Sequence, residues 1–323
     1  MSNTAVSVAG VTKAYGNFVA VSDLSFEVPA GTIYGVLGPN GAGKTTTLRM
    51  ITNITIPDRG TIKLLGNLPP GGEAARRIGY LPEERGLYPK MRVLEVMRFF
   101  GELRGIPGRE ATRRGQRWLE RLEIASWAKN RVQDLSKGMQ QKVQFCTALI
   151  SDPEVLILDE PWAGLDPINA EVLREIVLEQ RSAGKTILFS THLMEQAEKI
   201  CDHVCIIARG ERALEGALAD IKREAASDRV IALAFSSTAD RERATDTVLA
   251  DGELVAHAHH HEGGHTEIEL APSATARSLL EAAVAAGIGL RRFEIVEPDL
   301  HQIFVDKVGE RASRDQTTEA THG

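Results

Sequence analysis

From Val6 to Val28 apolar and polar residues alternate, with breaks at Gly16 and Pro29, which predicts short antiparallel strands with one buried face. The pattern then changes. Ile33 to Leu37 is apolar throughout and runs into a glycine-rich turn and a threonine-rich stretch from Lys44, so a buried strand, a loop and a helix are expected in that order. Between Glu95 and Leu149 the spacing becomes helical and arginine-rich, and Arg104, Arg109, Arg113, Arg114 and Arg117 read as a solvated helix face. Two further apolar strands, beginning at Val155 and Thr186, bracket a helix through Leu173, Ile176 and Val177. Strands and helices alternating in this way predict a parallel sheet covered on both faces.

A shift in composition over 218–228 reads as a linker. Beyond it the pattern predicts strand (Val230 to Phe235), helix (Arg241 to Ala250), strand (Glu253 to His257), strand (Thr266 to Leu270), helix (Ala274 to Ala286) and strand (Leu290 to Val296). That is the order of a split βαβ, ferredoxin-like unit. The polar residues 311–323 are expected to be disordered.

With 323 residues, 43% of them apolar, the chain can bury a large core, and roughly one domain per 150 residues suggests a large domain and a small one. A formal charge of −6 argues against nucleic acid as the main partner, because that binding rests on phosphate neutralisation by Lys and Arg. Cys146, Cys201 and Cys205 lack the spacing of a zinc site and read as reduced core residues. No apolar run is long enough to span a bilayer and the N-terminus has no basic-then-apolar leader, so a cytoplasmic protein is expected unless a partner recruits it.

Residues Gly38, Pro39, Asn40, Gly41, Ala42, Gly43, Lys44 and Thr45 match Gly-x-x-x-x-Gly-Lys-[Ser/Thr] at every fixed position, between a buried strand and a helix. Glycines let successive N–H groups turn inward and the helix adds its positive end, so a polyphosphate meets many donors. Lys44 would neutralise β- and γ-phosphates, and the Thr45 hydroxyl would hold Mg²⁺. Asp159 and Glu160 end the strand from Val155, at the sheet edge where Gly38 and His192 also emerge. One carboxylate can serve the metal while its neighbour, pointing the other way, accepts a proton from attacking water.

Leu135 to Lys142 reads LSKGMQQK, with Ser136 as a fair helix N-cap. With the phosphate loop and the Asp-Glu pair, it makes the chain, over roughly Ser2 to Glu215, resemble the ABC ATPase family. The resemblance implies an α/β fold: a P-loop NTPase core of the ABC ATPase type with an antiparallel β-subdomain and a helical subdomain, plus a small C-terminal α+β ferredoxin-like domain. It implies a nucleotide-binding domain over 1–217 with its helical subdomain at about 90–150, the linker at 218–228, an accessory domain over 229–310 and the tail from 311. In the family's pattern the phosphate loop extends to Thr46, Asp159 is the Mg²⁺ carboxylate, Glu160 the general base, His192 the switch histidine, and Tyr15 the aromatic that stacks adenine. Ser136 and Gly138 would close over the γ-phosphate of a second subunit's ATP, and Gly164, Leu165 and Asp166 match the D-loop.

Two positions depart from the family pattern. Glu83 stands where a Q-loop glutamine is usual; a carboxylate can still coordinate Mg²⁺ but adds negative charge near the phosphates. In the signature, Lys137 replaces a glycine and Met139 the glutamine. The C-terminal unit, ending EPDLHQIFVDKVGE, is similar to an accessory domain on ATPases that pair with ABC-2-type permeases, commonly exporters. The resemblance therefore implies ATP hydrolysis coupled to transport through a separate integral membrane permease, with the ATPase working as a homodimer or with a paralogous subunit at the inner face of the membrane. The alternative from another class is a non-transport ABC ATPase of DNA repair or translation. The five histidines His257, His259, His260, His261 and His265 cluster at the expected central turn of the C-terminal unit and read as an exposed polar turn, with transition-metal binding as the alternative.

Overall fold

The computed structural model describes residues 4–84, 86–225, 229–261, 264–296 and 298–307, so the tail expected to be disordered lies outside the described residues. The chain divides into two compact units, one built on residues up to Leu218 and the other on Ala219–Ile303, with the described residues from Phe304 grouping with the first. Strands β1 (Thr4–Tyr15) and β2 (Phe18–Pro29) form a hairpin that turns at Gly16, where φ is 61°. The chain then passes through β3 (Ile33–Leu37) and α1 (Lys44–Ile51) and returns as β4 (Arg59–Leu64). The hairpin and β4 make an antiparallel sheet of order β2-β1-β4. The alternating pattern of the first thirty residues is the physical cause: Val6, Val8, Val11, Leu24, Phe26 and Val28 face a core shared with Tyr34, Val36, Leu48 and Ile51.

Helix α2 (Gly72–Arg77) leads into β5 (Ile78–Leu81), and a helical arm follows: α3 (Val93–Leu103), α4 (Gly108–Arg121) and α5 (Lys137–Leu149). The arginines of the arm divide. Arg109, Arg113 and Arg117 are exposed as expected, but Arg104 is half-buried and donates to the carbonyls of Ala75 and Ile78. Its guanidinium satisfies backbone groups that the end of α2 leaves open. The main sheet is completed by β6 (Val155–Asp159), α6 (Pro167–Ser182), β7 (Thr186–Thr191), α7 (Met194–Glu198), β8 (His203–Ala208) and β9 (Glu211–Ala217). Its order is β5-β6-β7-β3-β8-β9, parallel except for the edge strand β9. Strands β3, β6 and β7 are buried at every residue, as continuous apolar runs in a covered parallel sheet require.

The segment expected as a linker is instead largely helical: α8 covers Leu218–Ala225. Leu218 and Ile221, three apart, are both buried, and that short apolar stripe outweighs the polar composition around it. Residues 226–228 lie outside the described residues. The second unit contains β10 (Val230–Phe235), α9 (Thr238–Asp246), β11 (Val255–His260), β12 (Thr266–Leu270), α10 (Ala276–Ala285) and β13 (Leu290–Ile295). Its sheet order β11-β12-β10-β13, antiparallel throughout, is the ferredoxin-like arrangement expected from the element order. Ile231, Leu233, Phe235, Ile268 and Leu270 pack against Ala244, Leu279 and Ala283 of the two helices.

In the helical arm α3 and α4 approach through small residues. A Cβ on Gly101 would stand 2.5 Å from the Cβ of Ala111, and one on Gly115 would stand 2.8 Å from the Cβ of Met97. Gly101→Ala gains about 0.8–1.0 kcal/mol of helix propensity but loses about 1–3 kcal/mol to overpacking between backbone-anchored atoms that no rotamer can relieve. We expect the clash to win and the urea midpoint of unfolding to fall; an unchanged or raised midpoint would show that the arm separates freely.

Candidate functional site

The loop between β3 and α1 depends on two glycines. At Gly38 φ is 150° and an added Cβ would lie 2.1 Å from the Ile207 carbonyl; at Gly43 φ is 106° and the Ala20 carbonyl would be 2.5 Å away. No side chain caps α1 and no acidic residue stands in its first turn, so its leading amides face the groove without an internal acceptor. Phe18, Ala20, residues Asn40 to Thr46, Glu83 and Glu160 line that groove, of about 280 Å³. Lys44 is nearly buried and its Nζ donates to the carbonyls of Gly38 (2.8 Å) and Pro39 (3.1 Å). The loop thus holds its own lysine in place.

Parallel register brings the acidic pair to the same edge, with Asp159 opposite Ser190 and Leu37 opposite Thr191. Asp159 is fully buried. Its Oδ1 accepts from Ser190 Oγ at 2.5 Å and from Thr45 Oγ1 at 3.2 Å, while Oδ2 has no hydrogen-bond partner. Burial raises its pKa above the usual carboxylate range, with Glu83 and Glu160 adding repulsion and the two hydroxyls opposing it. Thr45 Oγ1 is also 3.4 Å from Glu83 Oε2. One hydroxyl proton cannot serve both carboxylates at once, and an orphaned buried oxygen beside them marks a set of oxygen donors lacking positive charge. Such a set fits a hard divalent cation.

Glu160 follows β6 with φ at 46°, a left-handed conformation that turns its side chain away from that of Asp159. Its amide donates to Ser190 at both the carbonyl (3.2 Å) and Oγ (3.1 Å), which secures the turn. Its Oε1 accepts from the His192 amide at 3.1 Å, lies 2.9 Å from His192 Nδ1 and is 3.7 Å from Lys44 Nζ. One carboxylate oxygen therefore gathers the phosphate-loop lysine and the histidine after β7.

Residues 21–163 match the family model described as ABC transporter, and residues 216–308 match the one described as ATP-binding protein DrrA1-3-like, C-terminal domain. An uncharacterized ABC transporter ATP-binding protein, YhaQ of Bacillus subtilis, is 38% identical over 94% of this chain and 98% of its own length. The chain belongs to the ABC transporter ATP-binding proteins. The Nod factor export ATP-binding protein I of Cupriavidus metallidurans is 42% identical over 65% of the chain and 70% of that protein. A solved ATP-binding subunit of an ABC transporter superposes with a TM-score of 0.64 at 32% identity, covering 68% of this chain and 93% of the other. This ABC ATPase is accordingly an ATP-binding subunit that hydrolyses ATP, of a family that implies a membrane permease partner and dimerisation. Among its described residues no helix is long and apolar enough to cross a membrane.

The remaining expected residues of the ABC ATPase lie apart from the groove lining. Ser136 caps α5, its Oγ accepting from the Met139 amide at 3.3 Å, and an added Cβ on Gly138 would meet only Leu165, at 3.6 Å. Asp166 caps α6 before Pro167, accepting from the Asn169 amide at 3.0 Å; that bond and the Asn169 side chain hold its carboxyl below the usual range. Neither Ser136, Gly138 nor Asp166 lines the groove. Tyr15 does not line it either: the exposed aromatic that does is Phe18, paired with Tyr15 across the hairpin, while Lys13 Nζ sits 5.6 Å from the Tyr15 ring centroid.

Sequence reasoning missed Phe18, Ser190 and Gln144. Gln144 Nε2 of α5 donates to the carbonyls of Pro82 (3.0 Å) and Glu84 (3.1 Å), tying the Glu83 loop to the signature helix. On α5, Gln144 shares its face with the polar Gln140, Gln141 and Thr147, so helical period alone did not single it out, and Ser190 carried no signal without the strand register. The three cysteines are free, Cys146 and Cys205 buried.

The raised pKa of Asp159 has a definite sign in stability. Its ionised form is disfavoured in the folded protein, so stability falls as pH rises from the unfolded carboxylate's pKa through the higher folded one. Asp159→Asn keeps the Oδ1 acceptor and removes the buried charge. At neutral pH without metal the variant should melt at a higher temperature than the parent, while Mg²⁺-dependent stabilisation by ATP should largely disappear; calorimetry with and without Mg·ATP reads both. A lower melting temperature without metal would show that the buried carboxylate is not a strain on the fold.

Proposed function

We propose that this ABC ATPase acts as a pair of subunits driving an ABC-2-type permease in export. The reading rests on the convergence of Lys44 and His192 on the Glu160 carboxylate at the phosphate groove. An incoming triphosphate is met by the leading amides of α1, and it offers the Lys44 ammonium a more highly charged acceptor than Glu160. The released Glu160 carboxylate then takes the proton of an attacking water. His192, bonded to Glu160 through both its amide and Nδ1, holds that carboxylate in line and feels any change in the phosphate beside it. Thr45, Asp159 and Glu83 are the residues that would hold Mg²⁺, which when bound neutralises charge on the phosphates.

Ser136, Gly138 and Asp166 stand outside the groove of their own chain, and in this reading they close the site of a second copy or of a paralogue. Two observations favour export: the C-terminal match to the DrrA1-3-like domain, and similarity to ATP-binding proteins named for Nod factor export. The permease holds the subunit at the cytoplasmic face of the membrane, and the Glu83 loop, tied to α5 by Gln144, is the element through which closure reaches it. The alternative of a DNA repair or translation ATPase finds no support in the relatives described.

Glu160→Gln should lower ATP turnover about 10²- to 10⁴-fold and leave ATP affinity nearly unchanged. Lys44→Ala should instead weaken ATP binding roughly ten-fold or more, since a hydrogen bond from a charged group contributes about 1.5–3 kcal/mol. Phosphate release and nucleotide binding, measured on the same preparations, separate the two roles; parallel losses in both variants would overturn the assignment. The transport reading itself is tested by the permease that co-purifies from membranes, and co-purification with a ribosome or a DNA complex would sink it.

A further inference from the structure

The hairpin β11–β12 of the C-terminal unit carries the five clustered histidines. Its register sets His257 opposite Glu269, His259 opposite Glu267 and His260 opposite Thr266. Thr266, Ile268 and Leu270 point into the core, so the period-two alternation puts Glu267 and Glu269 on the outer face together with His257 and His259. His261 continues that face, its ring 4.8 Å from the ring of His259. The His261 amide donates to the His265 carbonyl at 3.0 Å across the turn, and the two imidazoles stack with centroids 4.6 Å apart and planes within 11°.

Glu267 then faces both rings. His261 Nε2 is 3.2 Å from Glu267 Oε2, and His265 Nε2 is 3.9 Å from Oε1. Despite that proximity, His261 Nε2 is shielded from solvent and makes no hydrogen bond. A shielded ring nitrogen beside a carboxylate, without hydrogen-bond geometry, is the arrangement a shared cation would satisfy. One ligand atom from each of His261, His265 and Glu267 lies within 4.8 Å of the others. Tetrahedral zinc ligands about 2.0–2.1 Å from the ion stand roughly 3.4 Å apart, so the widest separation must close by up to roughly 1.4 Å. The side chains are 36%, 33% and 39% exposed and can turn by that amount, while the bond from the His261 amide to the His265 carbonyl holds those two backbones together.

We propose that His261, His265 and Glu267 bind one divalent transition-metal ion of the zinc class, a site separate in chemistry from the nucleotide groove. Two imidazoles and one carboxylate suit a borderline ion, whereas the donors around Thr45 and Asp159 are all oxygen and suit Mg²⁺. The remaining coordination position is open to water or to His259. An ion there ties the two strands together at the tip of the hairpin.

The test is calorimetric titration of the tag-free, chelator-stripped full chain with Zn²⁺, with Mg²⁺ in excess to fill the oxygen sites. One zinc ion per chain is expected. Outer-shell partners of a metal typically contribute 10- to 100-fold in affinity, so losing two direct ligands in a His261→Ala/His265→Ala variant should weaken binding by about 100-fold or more. Glu267→Gln should weaken it too, and His257→Ala should leave it near that of the parent. Circular dichroism and ATP binding confirm that each variant is folded. Titration without saturation, millimolar binding only, or equal zinc affinity in the double variant would each overturn the site, the last by placing the ion elsewhere.

Discussion

The register of three parallel strands is the constraint on which the catalytic arrangement depends. Because β3, β7 and β6 lie side by side in step, Leu37, Thr191 and Ser190, and Asp159 all end at one edge. A one-residue slip between β6 and β7 would reverse which side chains face each layer of the sheet, removing Ser190 from Asp159 and the His192 amide from Glu160. Such a slip would also turn continuous apolar runs against different neighbours in a core that is fully buried, so packing energy holds the register that chemistry needs.

The site carries local costs that the surrounding fold must offset. Asp159 is a buried carboxylate with one oxygen unpartnered, and Glu160 holds a left-handed backbone that a non-glycine residue adopts at a cost of order 1–3 kcal/mol. Both are opposed by directed bonds: Ser190 supplies a hydroxyl to Asp159 and receives the Glu160 amide, and Lys44 is tied to its own loop. Strain and charge of this kind concentrate where a ligand will complete the electrostatics, which is the condition in which a phosphate and its cation gain most from binding.

The two units differ in the donors they present. The first collects carboxylates, hydroxyls, amides and an ammonium around a phosphate-shaped groove; the second places imidazoles beside a carboxylate at an exposed hairpin tip. Both arrangements arise from sheet geometry, one from parallel strand ends and the other from cross-strand neighbours. The first is supported by helices on both sides, whereas the second rests on an edge hairpin, where among the described residues the His261 amide donates to the His265 carbonyl, the Gly264 amide donates to the His261 carbonyl and two rings stack.

Much of this was legible in the chain itself. The strand from Ile33 and the helix from Lys44 begin where the apolar run and the glycine loop say they must, and the order of elements after Val230 already implied the sheet that forms. These are local properties: side-chain periodicity, and backbone conformations only glycine adopts. Tertiary structure alone decided that Ser190 would hold Asp159, that Gln144 would tether the Glu83 loop, that Phe18 rather than Tyr15 would line the groove, and that α8 would replace a linker. It also decided which of five histidines share a carboxylate. Each of those outcomes depends on register and packing between residues far apart in sequence, where the deciding energy belongs to a pair or a layer and to no single segment.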